Sequence, residues 1–162
     1  MYLNTILPMK TYLLILVTAV CLPVWSQTTD KLKAFNIEDQ IAIQGYDPVA
    51  YFTDNQARKG KKEIAAKFEG ILYYFASAAH RDLFLKNPKA YEPQYGGWCA
   101  YAMGANGEKV EINPETFKII DGKLFLFYNA FFNNTLKSWN KNEAALHRKA
   151  EQNWSRFFTV KS

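Results

Sequence analysis

Cysteine is nearly absent from this sequence. Its 162 residues hold two, and the first, Cys21, lies in an apolar N-terminal run that reads as a leader. Cys99 is then alone, so no internal disulfide can form. The lack of a Cys-x-x-Cys pair also argues against disulfide exchange. Phosphate-binding glycine loops and dinucleotide fingerprints are missing, since Gly96-Gly97 lacks the required pattern. There is no internal repeat and no low-complexity tract. Positive charge is in thin surplus, a formal +5 for the whole chain. Lys59, Lys61 and Lys62 cluster around Gly60 without interleaved aromatics, which suits a solvated loop and not a nucleic-acid surface. Long hydrophobic runs are lacking too: residues 12–22 are apolar, but too short to span a bilayer comfortably.

That run follows Lys10, the one charged residue of the first 26, and ends in Val24-Trp25-Ser26 before the polar Gln27-Thr28-Thr29-Asp30. This is the order of a secretory signal peptide, and it predicts cleavage after residue 26. An uncleaved anchor is the alternative. A lipoprotein cut at Cys21 is disfavoured by the bulk of Val20. Cleavage removes Lys10 and no acid, leaving a net charge of +4. The expected product is exported, periplasmic or secreted, with no stable membrane insertion after cleavage and no nucleic-acid partner.

Residues 27–34 read as a flexible lead, and residues 35–158 as one domain. Alternating residues at 35–37 and 41–43 predict a first strand. Gly45-Tyr46-Asp47-Pro48 is a turn, followed by the short apolar run Val49-Ala50-Tyr51-Phe52 and a polar loop over 53–60. Two hairpins are expected, one turning at Glu69-Gly70 and a clearer one at Asp121-Gly122. Ser77 is a candidate N-cap for a helix ending at Asn87-Pro88. From Ala130 to Phe158 the pattern is helical, with Phe131 on its first segment and a break at 140–142. The fold class expected is α+β: small antiparallel hairpins packed against short helices, with a C-terminal helical segment.

The chain centres on Tyr95-Gly96-Gly97-Trp98-Cys99-Ala100-Tyr101-Ala102-Met103-Gly104. A helical turn starting after the two glycines would set the Cys99 thiol near free backbone N–H groups, which favour a thiolate. Met103 lies four residues on, so two sulfur groups would share a face. The plainer reading is that Cys99 is a small buried hydrophobe and Met103 core filler.

Three segments carry a family likeness. Gly45-Tyr46-Asp47-Pro48-Val49-Ala50-Tyr51-Phe52, the stretch from Tyr73 through Phe84, and Asn87-Pro88-Lys89-Ala90-Tyr91 together resemble the YHS domain. The likeness is greatest to an exported bacterial subgroup that continues into Gln94-Tyr95-Gly96-Gly97-Trp98-Cys99-Ala100-Tyr101, and it covers roughly residues 40 to 155. The resemblance implies a small hairpin-and-helix module linked with metal handling. Many such domains read Asp-Pro-Val-Cys and then Phe-Cys-Ser-x-x-Cys. Here Ala50 and Ala76 replace cysteines and His80 takes the last cysteine position, so a four-thiolate zinc site is gone.

What remains is His80 with Cys99, and Met103 as a third, weaker donor. Thiolate and imidazole form a poor zinc set but a plausible copper set. Asp47 is a candidate acceptor orienting His80, or else a turn residue bonding its own backbone. His147 is expected to be exposed. Tyr46, Tyr51, Tyr95, Trp98 and Tyr101 either wall a pocket or build core. The leading expectation is an exported copper-binding carrier or sensor, with a metal donor or acceptor protein as partner and pairing of two chains left open. The alternatives are a small-ligand or protein-binding module with Cys99 structural, and a thiol-dependent enzyme. For the enzyme neither an orienting acid nor an oxyanion donor can be named.

Overall fold

The computed structural model describes residues 31–158; the expected leader lies outside them. The fold is the mixed α+β class expected from the sequence. No helix of the described residues is long and apolar enough to cross a membrane.

Strands β1 (Ile37–Glu38) and β2 (Ile41–Ala42) form a tight hairpin, with Asp39 and Gln40 at φ 50° and 66°. The expected single strand at 35–43 is thus split, because the chain reverses between two very short ladders. A 3-10 turn follows at Ile43–Gly45, then helix α1 (Ala50–Thr53), then β3 (Lys61–Phe68) and β4 (Ile71–Phe75). The short apolar run at 49–52 is therefore mostly helical. The first sheet has the order β1-β2-β4-β3, with β2 and β4 parallel and the other pairs antiparallel. Glu69 and Gly70 make the β3–β4 turn at φ 47° and 88°.

Helix α2 (Ala78–Lys86) begins at Ser77, whose hydroxyl accepts the His80 N–H at 3.2 Å. Asn87 ends it, and Pro88 starts the single turn of α3 (Pro88–Tyr91), where its missing N–H costs nothing. A kinked 3-10 turn at Gln94–Gly97 leads into α4 (Ala100–Ala105). Strands β5 (Asn113–Ile120) and β6 (Lys123–Phe127) form the hairpin expected at Asp121-Gly122. Its register shifts between Asn113 and Phe117, around Pro114, which has no N–H to give the ladder.

Strand β6 carries the packing. Leu124, Phe125, Leu126 and Phe127 are all fully buried. Side chains alternate across a strand, so the two leucines enter one core and the two phenylalanines another. The first core is built on Ile71, Tyr73 and Phe75, the inward face of β4, with Phe84 from α2. The second gathers Tyr95, Met103, Trp139 and Ala150. Each such burial is worth about 1.5–3 kcal/mol, so one strand holds both halves together.

Three expectations are corrected here. Residues 31–34, part of the expected flexible lead, are helical and docked. Lys31 pairs with Glu69 and Glu92, and Ala34 is buried with its carbonyl accepting the Trp98 indole N–H. The region after Ala130 does not open with a helix. Strands β7 (Asn129–Ala130) and β8 (Asn133–Asn134) make a small hairpin whose turn is Phe131-Phe132. The helices come afterwards, α5 (Thr135–Asn140) and α6 (Glu143–Ser155), with the break where the sequence put it. His147 is half-buried, not exposed, because its ring packs edge-on against Phe125 and tilted against Trp139.

Helices α4 and α6 meet at Gly104, where an added Cβ would lie 2.5 Å from the Leu146 carbonyl oxygen. Gly104→Ala is expected to cost about 1–3 kcal/mol, seen as an earlier midpoint in urea denaturation. At the 131–132 turn both phenylalanines hold positive φ, 49° and 64°, a conformation costly to residues with a Cβ. Replacing Phe131-Phe132 by Asn-Gly is expected to raise stability by about 1 kcal/mol in the same assay. A fall would show that the rings contribute contacts to the folded chain.

Candidate functional site

Asp47 is the most constrained polar residue of the domain. Its carboxylate is fully buried. One oxygen, Oδ1, accepts the N–H groups of Val49 at 2.8 Å and Ala50 at 3.3 Å, closing the Asp-Pro turn and starting α1. The other, Oδ2, accepts the Ala76 N–H at 2.8 Å and meets His80 Nδ1 at 2.7 Å. Both readings of Asp47, turn former and partner of His80, thus describe the same carboxylate. It ties the turn to the end of β4 and to the first turn of α2.

The contact also orients the ring. A carboxylate accepts and does not donate, so Nδ1 carries a proton and Nε2 is the nitrogen turned away from Asp47. The His80 side chain is 15% exposed. The last residue of α1 and the one after it stand on that side: Thr53 Oγ1 at 3.3 Å from Nε2, and Asp54 Oδ1 at 3.8 Å. Thr53 has a single hydroxyl proton, and its shortest polar contact is to Asp54 Oδ1 at 2.9 Å. That hydrogen bond, with Arg58 on the other carboxylate oxygen, holds Asp54 below the usual carboxylate range. An anionic oxygen and an imidazole nitrogen therefore face one another at the surface. Sequence reasoning passed over Thr53 and Asp54 as loop. The available signal was their position directly after the Gly45–Phe52 motif, with Arg58 four residues beyond Asp54.

Cys99 lies elsewhere. It is fully buried in the first core. It precedes α4 as expected, but its side chain caps no helical N–H. Its Sγ accepts the Tyr128 N–H at 3.3 Å and lies 3.4 Å from Thr135 Oγ1. Thr135 gives its own proton to the Tyr128 carbonyl at 2.9 Å, which leaves the thiol to donate to Thr135. Cys99 thereby joins the start of α4 to the end of β6 and the start of α5. Met103 N–H bonds the Cys99 carbonyl at 3.0 Å, so the two residues are one turn apart. Their side chains nevertheless enter different cores. No hydrogen bond or ion pair among the described residues links Cys99 or Met103 to His80 or Asp47.

The structure therefore brings together Asp47 and His80 and adds Thr53 and Asp54. Among the described residues no group of three or more His, Cys, Asp or Glu is arranged to hold one ion. Of the aromatics considered as pocket walls, Tyr51 and Tyr95 are core, and burial pushes both phenols up. Trp98 lines a cleft of about 360 Å³ with Asn36, Gln44 and Glu111. Tyr46 lines another of about 420 Å³ with Glu115 and Asn129.

Comparison of the chain with protein-family models, with curated proteins and with solved structures gives no match.

An uncharged isostere tests the hub. Asp47→Asn would place an NH2 against backbone N–H donors, and the loss expected in urea denaturation is about 3 kcal/mol. Cys99→Ala, which removes two weak sulfur hydrogen bonds and a small volume, is expected to cost about half as much. Equal losses would mean that the carboxylate is not the organising group.

Proposed function

We propose that the protein is an exported metal-binding module, a carrier or sensor with copper as its first candidate ion, and that the ion is held through His80 Nε2. The reading rests on one observation above the others. A buried carboxylate fixes the His80 ring through Nδ1 and turns its second nitrogen, Nε2, toward an accessible anionic oxygen, that of Asp54. Metal-binding histidines are commonly oriented by a carboxylate on their second nitrogen in this way. The 3.8 Å between Nε2 and Asp54 Oδ1 is within the span of two ligand bonds of about 2 Å each. Nitrogen and carboxylate donors suit Cu(II), which also leads the divalent series in affinity.

Two protein donors leave the remaining positions to water or to a side chain of another protein. That suits an ion meant to be exchanged, and it fits the metal-handling role that the YHS resemblance implies. The Cu(I) version of the reading, with Cys99 and His80 as joint ligands, asks more of the fold. The thiol would have to give up Tyr128 and Thr135 and leave the core. Burial of Cys99 favours the second reading of that residue, as a structural thiol, and leaves no approach for a substrate to a sulfur nucleophile.

Titration of the purified chain with Cu(II), followed by electron paramagnetic resonance, separates these cases. About one equivalent is expected to bind with imidazole nitrogen in the signal. His80→Ala should abolish that signal, Asp54→Asn should weaken binding about tenfold, and Cys99→Ser should leave it unchanged. Loss of binding in Cys99→Ser would instead support the thiolate–imidazole site. Absence of binding in the parent chain, with Cu(II) and with Cu(I) under anaerobic conditions, would retire the metal reading.

A further inference from the structure

The least economical feature of the surface is the β7–β8 turn. Phe131 and Phe132 are 92% and 112% exposed, and neither ring meets another aromatic ring among the described residues. Both are in the left-handed region that two-residue hairpins ordinarily fill with Asn-Gly. The pair is therefore strained, and among the described residues neither ring is part of a hydrophobic core cluster that would offset the strain. Hairpins of this kind are convex, with two side chains projecting past two-residue strands.

Two cations follow the turn in sequence. From Tyr128 through Asn142 the sequence carries Lys137 and Lys141 and no acid. Both lysines are exposed, and neither forms an ion pair among the described residues. The base of the hairpin is held to β5 by polar groups: Asn113 donates to the Asn129 carbonyl, and Asn129 donates to Thr116 Oγ1. The carboxylate on that side, Glu115, is engaged by the Tyr46 hydroxyl.

From this we propose that the Phe131-Phe132 turn is a membrane-docking tip. It inserts its two rings into the interface of an anionic bilayer while Lys137 and Lys141 meet the headgroups. A bilayer accepts a convex aromatic tip without a matching pocket, and aromatic rings are favoured at the interface. The lysines supply the complementary charge, each adding attraction that salt would screen. With two rings and two lysines, binding is weak and reversible. It is docking at the surface, distinct from a spanning anchor, and it does not depend on the metal reading.

The test compares the full chain with its Phe131→Asn/Phe132→Gly variant, which keeps the turn and is expected to fold at least as well. Vesicles of phosphatidylcholine with phosphatidylglycerol are the probe. Amide exchange at residues 129–134 is expected to slow when vesicles are added to the parent and to stay fast in the variant. This local readout is independent of any affinity of the N-terminal apolar run for lipid. The vesicle concentration needed for half-maximal protection should rise at least about tenfold on removing both rings, consistent with the worth of buried Phe side chains. It should also rise in neutral vesicles and in Lys137→Gln/Lys141→Gln. Exchange at 129–134 that is unchanged by vesicles in the parent, or slowed equally in the variant, overturns the proposal and turns the tip over to a protein pocket.

Discussion

Everything in this fold depends on burying both faces of one strand. A two-stranded hairpin is marginal alone, yet β5–β6 is the seam of the domain. Leu124 and Leu126 of β6 complete the core beneath the four-stranded sheet, and Phe125 and Phe127 complete the one under α4, α5 and α6. Neither core closes without that strand. Cys99 sits where the seam ends, bound through sulfur to Tyr128 N–H beside Thr135. Its place is thus accounted for by the joining of three elements, without any appeal to reactivity.

The Asp47 carboxylate is the second constraint, and it connects architecture to chemistry. A buried carboxylate is costly unless hydrogen bonds satisfy it. Three backbone N–H groups and the His80 ring do so, drawn from the Asp-Pro turn, the exit of β4 and α2. The same bonds that make the charge tolerable set the imidazole orientation. Thr53 and Asp54 are then positioned by α1, a helix of a single turn that the carboxylate itself starts. Structural and chemical roles are inseparable here, because one group carries both.

Much of the architecture was legible locally. Asp-Gly at 121–122 and Glu-Gly at 69–70 announced their hairpins through glycine at a left-handed position. Ser77 announced α2 through its hydroxyl, and Asn87-Pro88 its end. The failures fell where tertiary contacts overrode local pattern. Residues 31–34 look like a polar lead until Lys31 finds Glu69 and Glu92. Phe131 looks like the apolar face of a helix until β7 and β8 pair across it. His147 looks exposed among basic neighbours, but its ring covers Phe125.

The candidate site divides in the same way. By itself the sequence determined the α+β class, the hairpin turns, the helix caps and the pairing of chemistry-bearing residue types within short motifs, because each of these is decided by backbone preferences over a few residues. Only the tertiary structure decided which motifs meet. It joined Asp47 to His80 across 33 positions and brought Asp54 to the free side of the ring. It also sent Cys99 and Met103, one helical turn apart, into separate cores. Helical spacing brings residues near in height along an axis. Which core each side chain enters depends on the strands packed against the helix, and β6 presents a different face to each.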